Sequence, residues 1–538
     1  MRRPYRSLRQ RLSRRFKAVG RGLGPTSRRR LHGLLDQAAT LRQSSIGGVP
    51  EPVDRFDFWA TIAAIADTAT VTLTGAGIEV VRLDSNGRSI LVIPAEARSD
   101  ALDALASDAV IAHWWIAGAG RRALMVREVP RRQSVAAHRL TLFRLLAAPN
   151  GAPITDARCG VSLEFWELAV SGETRPDGGQ YASGTRVAPA RNPLAGYLTA
   201  EVWQQAQSDP GRRLRPSAPP HLMSIVEPVD IVYTWVDDRD PDWQARRASV
   251  EPMSSGLSTD ALHRGRTENR DELRYSLRSL CAYAGWYRKI WLVTDGQRPS
   301  WLADDPRLSV VSHRDIFTDP DVLPTFNSHA IESQLHHIDG LAEHFIYLND
   351  DVFIGRPLRP ETFFTGAGLA TFTLAPAAID RQDEPRLLNG AMLAARNNRE
   401  LLAADLGRTV TNRLQHIPHA HRRSSLVGFE ARHPQQVARV AASRFRGVDD
   451  LSIGSDLGHY WAYAHGQAVT TTTLSFRYVD IGGPQVDEYL RSLIARRNFD
   501  CFCINDAGPY QQPVDGSRVT EFLAEYFPVP SPFERTAL

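Results

Sequence analysis

From residue 229 onward the sequence predicts an α/β domain, a Rossmann-like and largely parallel sheet with helices packed on its faces. Three observations predict it. Apolar, β-branched runs ("VDIVYTWV", "KIWLVTDG", "LSVVSH", "HFIYLNDD") alternate with longer segments of helical periodicity. Three of these runs end on acids, at Asp237-Asp238, Asp295 and Asp350-Asp351. Upstream, residues 50–205 have a different texture of strand-like runs and turn clusters, read as a separate accessory α+β domain.

Taken in order, the chain begins with a basic arm over residues 1–49. Its first 30 residues hold 12 Arg or Lys and no acid, so a chain whose formal charge is +4 leaves −8 for the rest. Tyr5, Leu8, Leu12, Phe16, Val19 and Leu23 recur at three- and four-residue intervals. A helix there would set one apolar stripe among arginines, the pattern of a helix lying on an anionic membrane surface; a solvated basic tail is the alternative. No apolar run reaches the roughly 20 residues that span a bilayer, and none resembles a signal-peptide core. The expected location is cytoplasmic, peripheral on the inner face of the membrane if the arm binds lipid, with no nucleic-acid partner.

Residues 50–205 carry the strand-like runs "ATVTLTGAGIEVVRL", "SILVIPAE" and "VSLEFWELAV", separated by turn clusters such as "SGETRPDGGQ". No catalytic constellation falls there, and His113, Trp114 and Trp115 read as half-buried packing. Residues 206–228 are rich in proline and charge and read as a linker to a catalytic domain over 229–538. With 43% hydrophobic residues in 538, the chain can bury more than one core, which excludes a disordered class. Cys159, Cys281, Cys501 and Cys503 are too few and too unevenly spaced for a disulfide framework, which fits a reducing compartment.

Within the catalytic part, "RDELRYSLRSLCAYAGW" follows the first strand as a helix with Leu273, Leu277, Leu280 and Ala284 on one face. "SHAIESQLHHIDGLA" predicts a second helix burying Ile331, Leu335, Ile338 and Ala342, which sets His329, Glu332 and His336 together on another face. In parallel sheets of this kind ligands bind at the carboxyl ends of the strands. Asp237, Asp295, Asp350 and Asp351 therefore point toward one edge.

An amide followed by two carboxylates, Asn349-Asp350-Asp351, offers hard oxygen ligands suited to Mg²⁺ or Mn²⁺ that also binds a diphosphate. A nucleotide sugar needs such a counter-ion, because charge develops on its phosphates as they leave. The alternative is that Asn349 and Asp350 terminate the strand through local side-chain to backbone bonds. "FDCFCIND" repeats the pattern at Asn505-Asp506, either as the distant half of the metal site or as a simple turn. "RLQHIPHAHRR" places His416, His419 and His421 among arginines. Pro418 disrupts a helical ladder and no neighbouring Cys or acid completes a zinc tetrahedron. A histidine held neutral by surrounding positive charge is instead a proton acceptor, His421 reading as a surface residue.

Together these segments resemble the Stealth family, the sugar-phosphate transferases of bacterial capsule and exopolysaccharide synthesis, themselves similar to the catalytic core of the animal enzyme that phosphorylates lysosomal mannose glycans. The resemblance runs through "DIVYTWVDDRDPDW", then "DELRYSLRSLCAYAGWYRKIWLVTDGQRPSWL" to "LPTFNSHAIESQLHHIDGLAEHFIYLNDDVFIG", then "LLNGAMLAARN" to "LQHIPHAHRR". It ends with "SRFRGVDDLSIGSDLGHYWAYAHG", "CFCINDAG" and "YFPVPSPFE" and covers about residues 227–535. It implies a sheet of the nucleotide-sugar-transferase type (GT-A-like). It also implies transfer of sugar-1-phosphate from a nucleotide-diphosphate sugar, expected to be a UDP-sugar, to a glycan or polysaccharide hydroxyl.

Carried onto this chain, the family pattern implies Mg²⁺ or Mn²⁺ at Asp350, Asp351, Asn505 and Asp506, and catalytic roles for His416 or His419 and for Arg446. Trp235, Asp237, Arg274, Asn349 and Asn389, all inside the matching blocks, are expected at the substrate. Glu332 and His336 form the reserve pair for the base. One departure precedes "ELRYS": many relatives carry an acid-Asn pair where this chain has Asn269-Arg270-Asp271, which leaves the donor contact there open. Two rival functions stand beside this one: a metal-dependent glycosyltransferase releasing nucleoside diphosphate, and a non-catalytic peripheral scaffold.

Overall fold

A computed structural model describes residues 49–535, apart from 86–87, 119–122, 130–137, 191, 193, 215–220, 251–256, 259–260, 263–267, 380–388 and 507–515. The apolar stripe of the arm lies outside the described residues. Asp57 caps the helix α1 (Phe58–Gly75), its side chain accepting from the N–H groups of Trp59 at 2.8 Å and Ala60 at 3.0 Å. The second half of α1 is "ATVTLTG", expected as strand. It is helical because Ile62, Ile65, Ala66, Ala69 and Leu73 recur on one buried face. The threonines fit because Thr68, Thr70 and Thr74 return their hydroxyls to carbonyls one turn back, at 2.9, 2.7 and 2.9 Å.

Helix α1 packs on a mixed sheet that includes β1 (Val81–Ser85), β2 (Arg88–Pro94), β3 (Trp115–Gly118), β4 (Arg139–Phe143) and β5 (Gly160–Leu168). Strands β2 and β5 run parallel, and the pairs β1-β2, β3-β4 and β4-β5 run antiparallel. Trp114 and Trp115 are buried in this layer rather than half-buried, and His113 is exposed.

The second sheet holds the functional edge. Strands β6 (Val229–Thr234), β7 (Ile290–Thr294), β8 (Leu308–Ser312) and β9 (His344–Asn349) are parallel in the order β8-β7-β6-β9. The later strand β11 (His419–Arg422) closes the β9 side antiparallel. Alternate residues feed two cores: Ile231, Tyr233, Leu292 and Ile346 face one layer, and Val232, Val293, Phe345 and Tyr347 face the other. Burial on both faces is why these strands read as unbroken apolar runs.

Helix α2 (Glu272–Tyr283) buries the expected face, with Leu273 and Leu277 fully inaccessible. Its neighbouring strip is polar and also buried. Ser276 Oγ donates to the Val352 carbonyl at 2.6 Å, and the Ile354 N–H donates to Ser279 Oγ at 2.9 Å. These bonds pin β10 (Val352–Ile354), which begins directly after Asp350-Asp351. A small third sheet then sets β10 against β13 (Cys501–Asn505), with β12 (Phe476–Asp480) beyond it. Its register pairs Val352 with Cys503, which carries Asn505 past Asp351.

The helix expected over 328–342 is two shorter pieces. Helix α3 (Ser328–Glu332) stops, and a 3-10 turn, Leu335–His337, follows. His329, Glu332 and His336 thus do not share one face; each is held by a partner on a different segment. Among the described residues no helix is long and apolar enough to cross a membrane.

Candidate active site

Strands β6, β7 and β9 end level with one another, since Thr234 pairs with Val293 on one side and Asn349 on the other. The acids after them share an edge but not a role. Asp237 is taken by Arg239 at 3.0 Å and Asp295 by Arg246 at 2.9 Å. Asp351 instead reaches β13. Its Oδ2 accepts from Asn505 Nδ2 at 2.6 Å and from the Cys503 thiol at 3.3 Å. Among the described residues its Oδ1 is buried without a hydrogen-bond partner, and it lies 3.5 Å from His416 Nε2.

Charge accumulates at this edge. Burial, then the neighbouring charges of Glu272 and Asp351, push the Asp350 carboxyl well above the usual carboxylate range. Glu272, at the start of α2, is pushed up to about 7, chiefly by burial with Asp351 adding to it, although Arg270 pulls the other way. Arg270 is the cation of the cluster. Its guanidinium lies 2.7 Å from Glu268 and 3.2 Å from Asp506, and its N–H donates to Glu272 at 2.6 Å. The residue noted as a departure from the family pattern therefore sits among the acids.

Acids packed so that Asp351 raises Glu272 and both raise Asp350, with one Asp351 oxygen lacking a hydrogen-bond partner among the described residues, suit a hard divalent cation. A carboxylate oxygen of Asp351, a ring nitrogen of His416 and the Cys503 sulfur also lie within 4.8 Å of one another. The thiol is a poor ligand as it stands, since burial and then Asp351 push its pKa well up.

The histidines differ from expectation. His416 is half-buried; burial pulls its pKa down, but Asp351 and Glu332 more than reverse this, so it is raised, not held neutral by arginines. His419 is buried in β11 and its pKa is lowered well below 6.5, by burial and by the neighbouring His416 and His421. Its ring lies 5.3 Å from that of His459. His421, read as a surface residue, is buried, with Nε2 donating to the Gly454 carbonyl at 2.6 Å.

Of the remaining expected residues, Glu332 joins this region. It is buried and accepts from Ser455 Oγ at 2.7 Å and from the Tyr347 hydroxyl at 3.3 Å. Trp235 is buried at the end of β6, and Asn349 closes β9. Others are engaged elsewhere. Arg274 binds Glu534 at 2.6 Å, Asn389 caps the helix Gly390–Leu406, Arg446 donates to Ser328 Oγ at 2.7 Å, and His336 binds Glu430 at 2.7 Å. Sequence reasoning passed over Glu272, Cys503 and Ser455 as site residues, and met Arg270 only as a departure from the family pattern. Glu272 had a signal: it shares a helical strip with Ser276 and Ser279, and counting apolar residues alone hides a buried polar strip.

Comparison with known proteins bears on this geometry. The Stealth conserved regions 1, 2, 3 and 4 match residues 227–255, 266–372, 415–463 and 492–538. An exopolysaccharide phosphotransferase of Streptomyces coelicolor, SCO6021, is 38% identical over 395 residues, 70% of each chain. The chain belongs to the Stealth family. The exopolysaccharide phosphotransferase CpsY of Mycobacterium tuberculosis is 36% identical over 410 residues, 74% of this chain and 73% of that one. A second Streptomyces coelicolor protein of the same description, SCO6023, is 48% identical over 313 residues, 57% of this Stealth chain. This chain spans about half, 52%, of that relative. Among solved structures, the galactosyltransferase LgtC in complex with donor and acceptor sugar analogues is similar over 55% of this chain and 95% of its own, at 10% identity and a TM-score of 0.29.

Proposed function

We propose that this chain transfers sugar-1-phosphate from a nucleotide-diphosphate sugar, of the UDP-sugar class, to a glycan hydroxyl, building a phosphodiester-linked exopolysaccharide or capsule and releasing nucleoside monophosphate. The observation that carries the proposal is the convergence of Glu272, Asp350 and Asp351 beside His416, whose Nε2 is 3.5 Å from Asp351. The descriptions of the relatives support the reaction class.

In this reading the acceptor oxygen attacks the β-phosphorus and the bond from that phosphorus to the bridging oxygen breaks. The monophosphate leaves with the bridging oxygen, and the hydroxyl proton passes to His416 Nε2. Mg²⁺ or Mn²⁺, held by Asp350, Asp351 and Asp506, supplies neutralisation of the diphosphate charge when bound. Asn505, donating to Asp351 Oδ2, fixes which carboxylate oxygen stays open. Apolar Leu414 and Ile417, both buried, hold the His416 loop against the protein so that the ring meets the acceptor in one orientation. Arg270 balances Asp506 and Glu272 when no substrate is present.

The accessory role of residues 50–205 and the membrane contact of the arm belong to this proposal too: the arm holds the enzyme near lipid, where its polymer is made. Incubating the purified chain with a panel of nucleotide sugars and Mg²⁺ or Mn²⁺ tests the reaction. Metal-dependent release of nucleoside monophosphate is expected; turnover unaffected by chelator rejects the metal assignment.

A further inference from the structure

Away from the acid cluster, a second set of metal-ligating side chains converges. His336 and His337, adjacent in the turn Leu335–His337, both direct Nε2 at one oxygen, Oε2 of Glu430 on helix α4 (Arg423–Arg432), each at 2.7 Å. The two rings lie 4.1 Å apart. On its other side, His337 Nδ1 is 3.0 Å from the Ile316 carbonyl. That contact decides the chemistry. A carbonyl only accepts, so Nδ1 carries the hydrogen, and in a neutral ring Nε2 then presents a lone pair to the carboxylate. Two lone pairs at 2.7 Å stay together only with a cation between them or a proton on the ring.

We propose that His336, His337 and Glu430 form a binding site for a transition-metal cation of the Zn²⁺ class, sharing no ligand with the acid cluster. Two imidazole nitrogens and a carboxylate oxygen are the donor set such ions prefer, and three protein ligands leave a fourth position for water. The bond from Nδ1–H to a backbone carbonyl is the outer contact that fixes the tautomer and ring orientation of a metal-bound histidine. Among the described residues His336 Nδ1 is buried without a hydrogen-bond partner, and Nε2 of that ring is held by Glu430. The side chains of His337 and Glu430 are 21% and 26% exposed, which leaves an entry path. Metal–ligand bonds of about 2.0–2.1 Å place tetrahedral ligand atoms about 3.3 Å apart, so the 2.7 Å contacts open slightly on loading.

Without an ion, a proton keeps the balance. Glu430 holds His337 above its usual range, burial holds His336 below it, and the two imidazoles bring Glu430 down to about 2. Among the described residues, Arg423, whose Nε donates to the His336 carbonyl at 2.8 Å, and His421 also face the set. Metal entry displaces the His337 proton, so binding weakens as pH falls. A bound ion would staple the turn to α4, which continues directly from β11 and its buried His419.

The test titrates metal-free full-length protein with Zn²⁺ by equilibrium dialysis and thermal denaturation, and with Co²⁺ by visible absorption. The wild type is compared with Glu430→Gln and His337→Asn, and with an Asp351→Asn background that disables the other candidate set. We expect one equivalent to remain bound in Asp351→Asn, with a raised melting temperature, and that equivalent to be lost or strongly weakened when Glu430→Gln or His337→Asn is added to Asp351→Asn. No bound equivalent in Asp351→Asn, or binding that stays as tight after Glu430→Gln and after His337→Asn are added to it, overturns the proposal. Should neither variant fold, X-ray absorption of zinc-loaded Asp351→Asn decides: two imidazoles on the metal support the site, and fewer reject it.

Discussion

Glu272→Gln isolates the electrostatic strain at the centre of the acid cluster. Burial, with the Asp351 charge adding to it, takes the Glu272 pKa from 4.5 to about 7. A carboxyl whose pKa is higher folded than unfolded binds more protons in the folded state. Its burden on stability is therefore absent at pH below the unfolded value and grows as pH rises through the folded one. At about 1.36 kcal/mol per unit, that shift amounts to about 3 kcal/mol when fully developed near pH 8, and to less than 1 kcal/mol at pH 5. The Glu272 charge raises the Asp350 carboxyl in turn, so the figure describes the cluster and not one residue. The assay is urea denaturation followed by tryptophan fluorescence, with chelator, for wild type and variant at both pH values. From pH 5 to pH 8 the variant should gain about 2 to 3 kcal/mol on the wild type, and millimolar Mg²⁺ should narrow the gap by stabilising the wild type more. A separation that stays constant across that range would refute the reasoning.

Asp351→Asn and Asp506→Asn should each keep the fold and lower turnover by about 10²-fold or more, measured as nucleoside monophosphate release, because each removes an anionic ligand from the cation that neutralises the diphosphate. His416→Ala should cost about 10² to 10⁴ in acceptor transfer while sparing donor binding. The wild-type rate should rise with pH as His416 loses its proton, with a limb above about 6.5 because Asp351 and Glu332 raise its pKa, and His416→Ala should lack that limb. Ser279→Ala leaves the Ile354 N–H without its acceptor and should destabilise the protein by about 1 to 3 kcal/mol, read by denaturation. Deleting residues 1–30 should release the protein from anionic vesicles at low salt, checked by sedimentation, since each Arg or Lys near the surface contributes about 1 kcal/mol.

What could be read from the sequence follows from the range of the forces involved. The four parallel strands and the leucine face of α2 were legible, because alternation and 3.6-residue periodicity are local consequences of burial. So was the shared edge of Asp237, Asp295 and Asp351, since parallel strands fix where their ends meet. Side-chain partners were not legible. Asp351 meets Cys503 and Asn505 across a sheet register, and Arg274 turns to Glu534 near the end of the described chain. The "ATVTLTG" run misled because β-branched residues suggest strand until their hydroxyls find carbonyls in the preceding turn. The break after Glu332 was hidden for a similar reason: apolar spacing continued while His329, Glu332 and His336 were drawn to Asp450, Ser455 and Glu430.

The measurement closest to the central claim is ³¹P NMR and mass analysis of the product formed from a UDP-sugar and a glycan acceptor. The account predicts a phosphodiester joining the sugar to the acceptor, with UMP released in equal amount. A glycosidic product without phosphorus, with UDP as the leaving group, would contradict it.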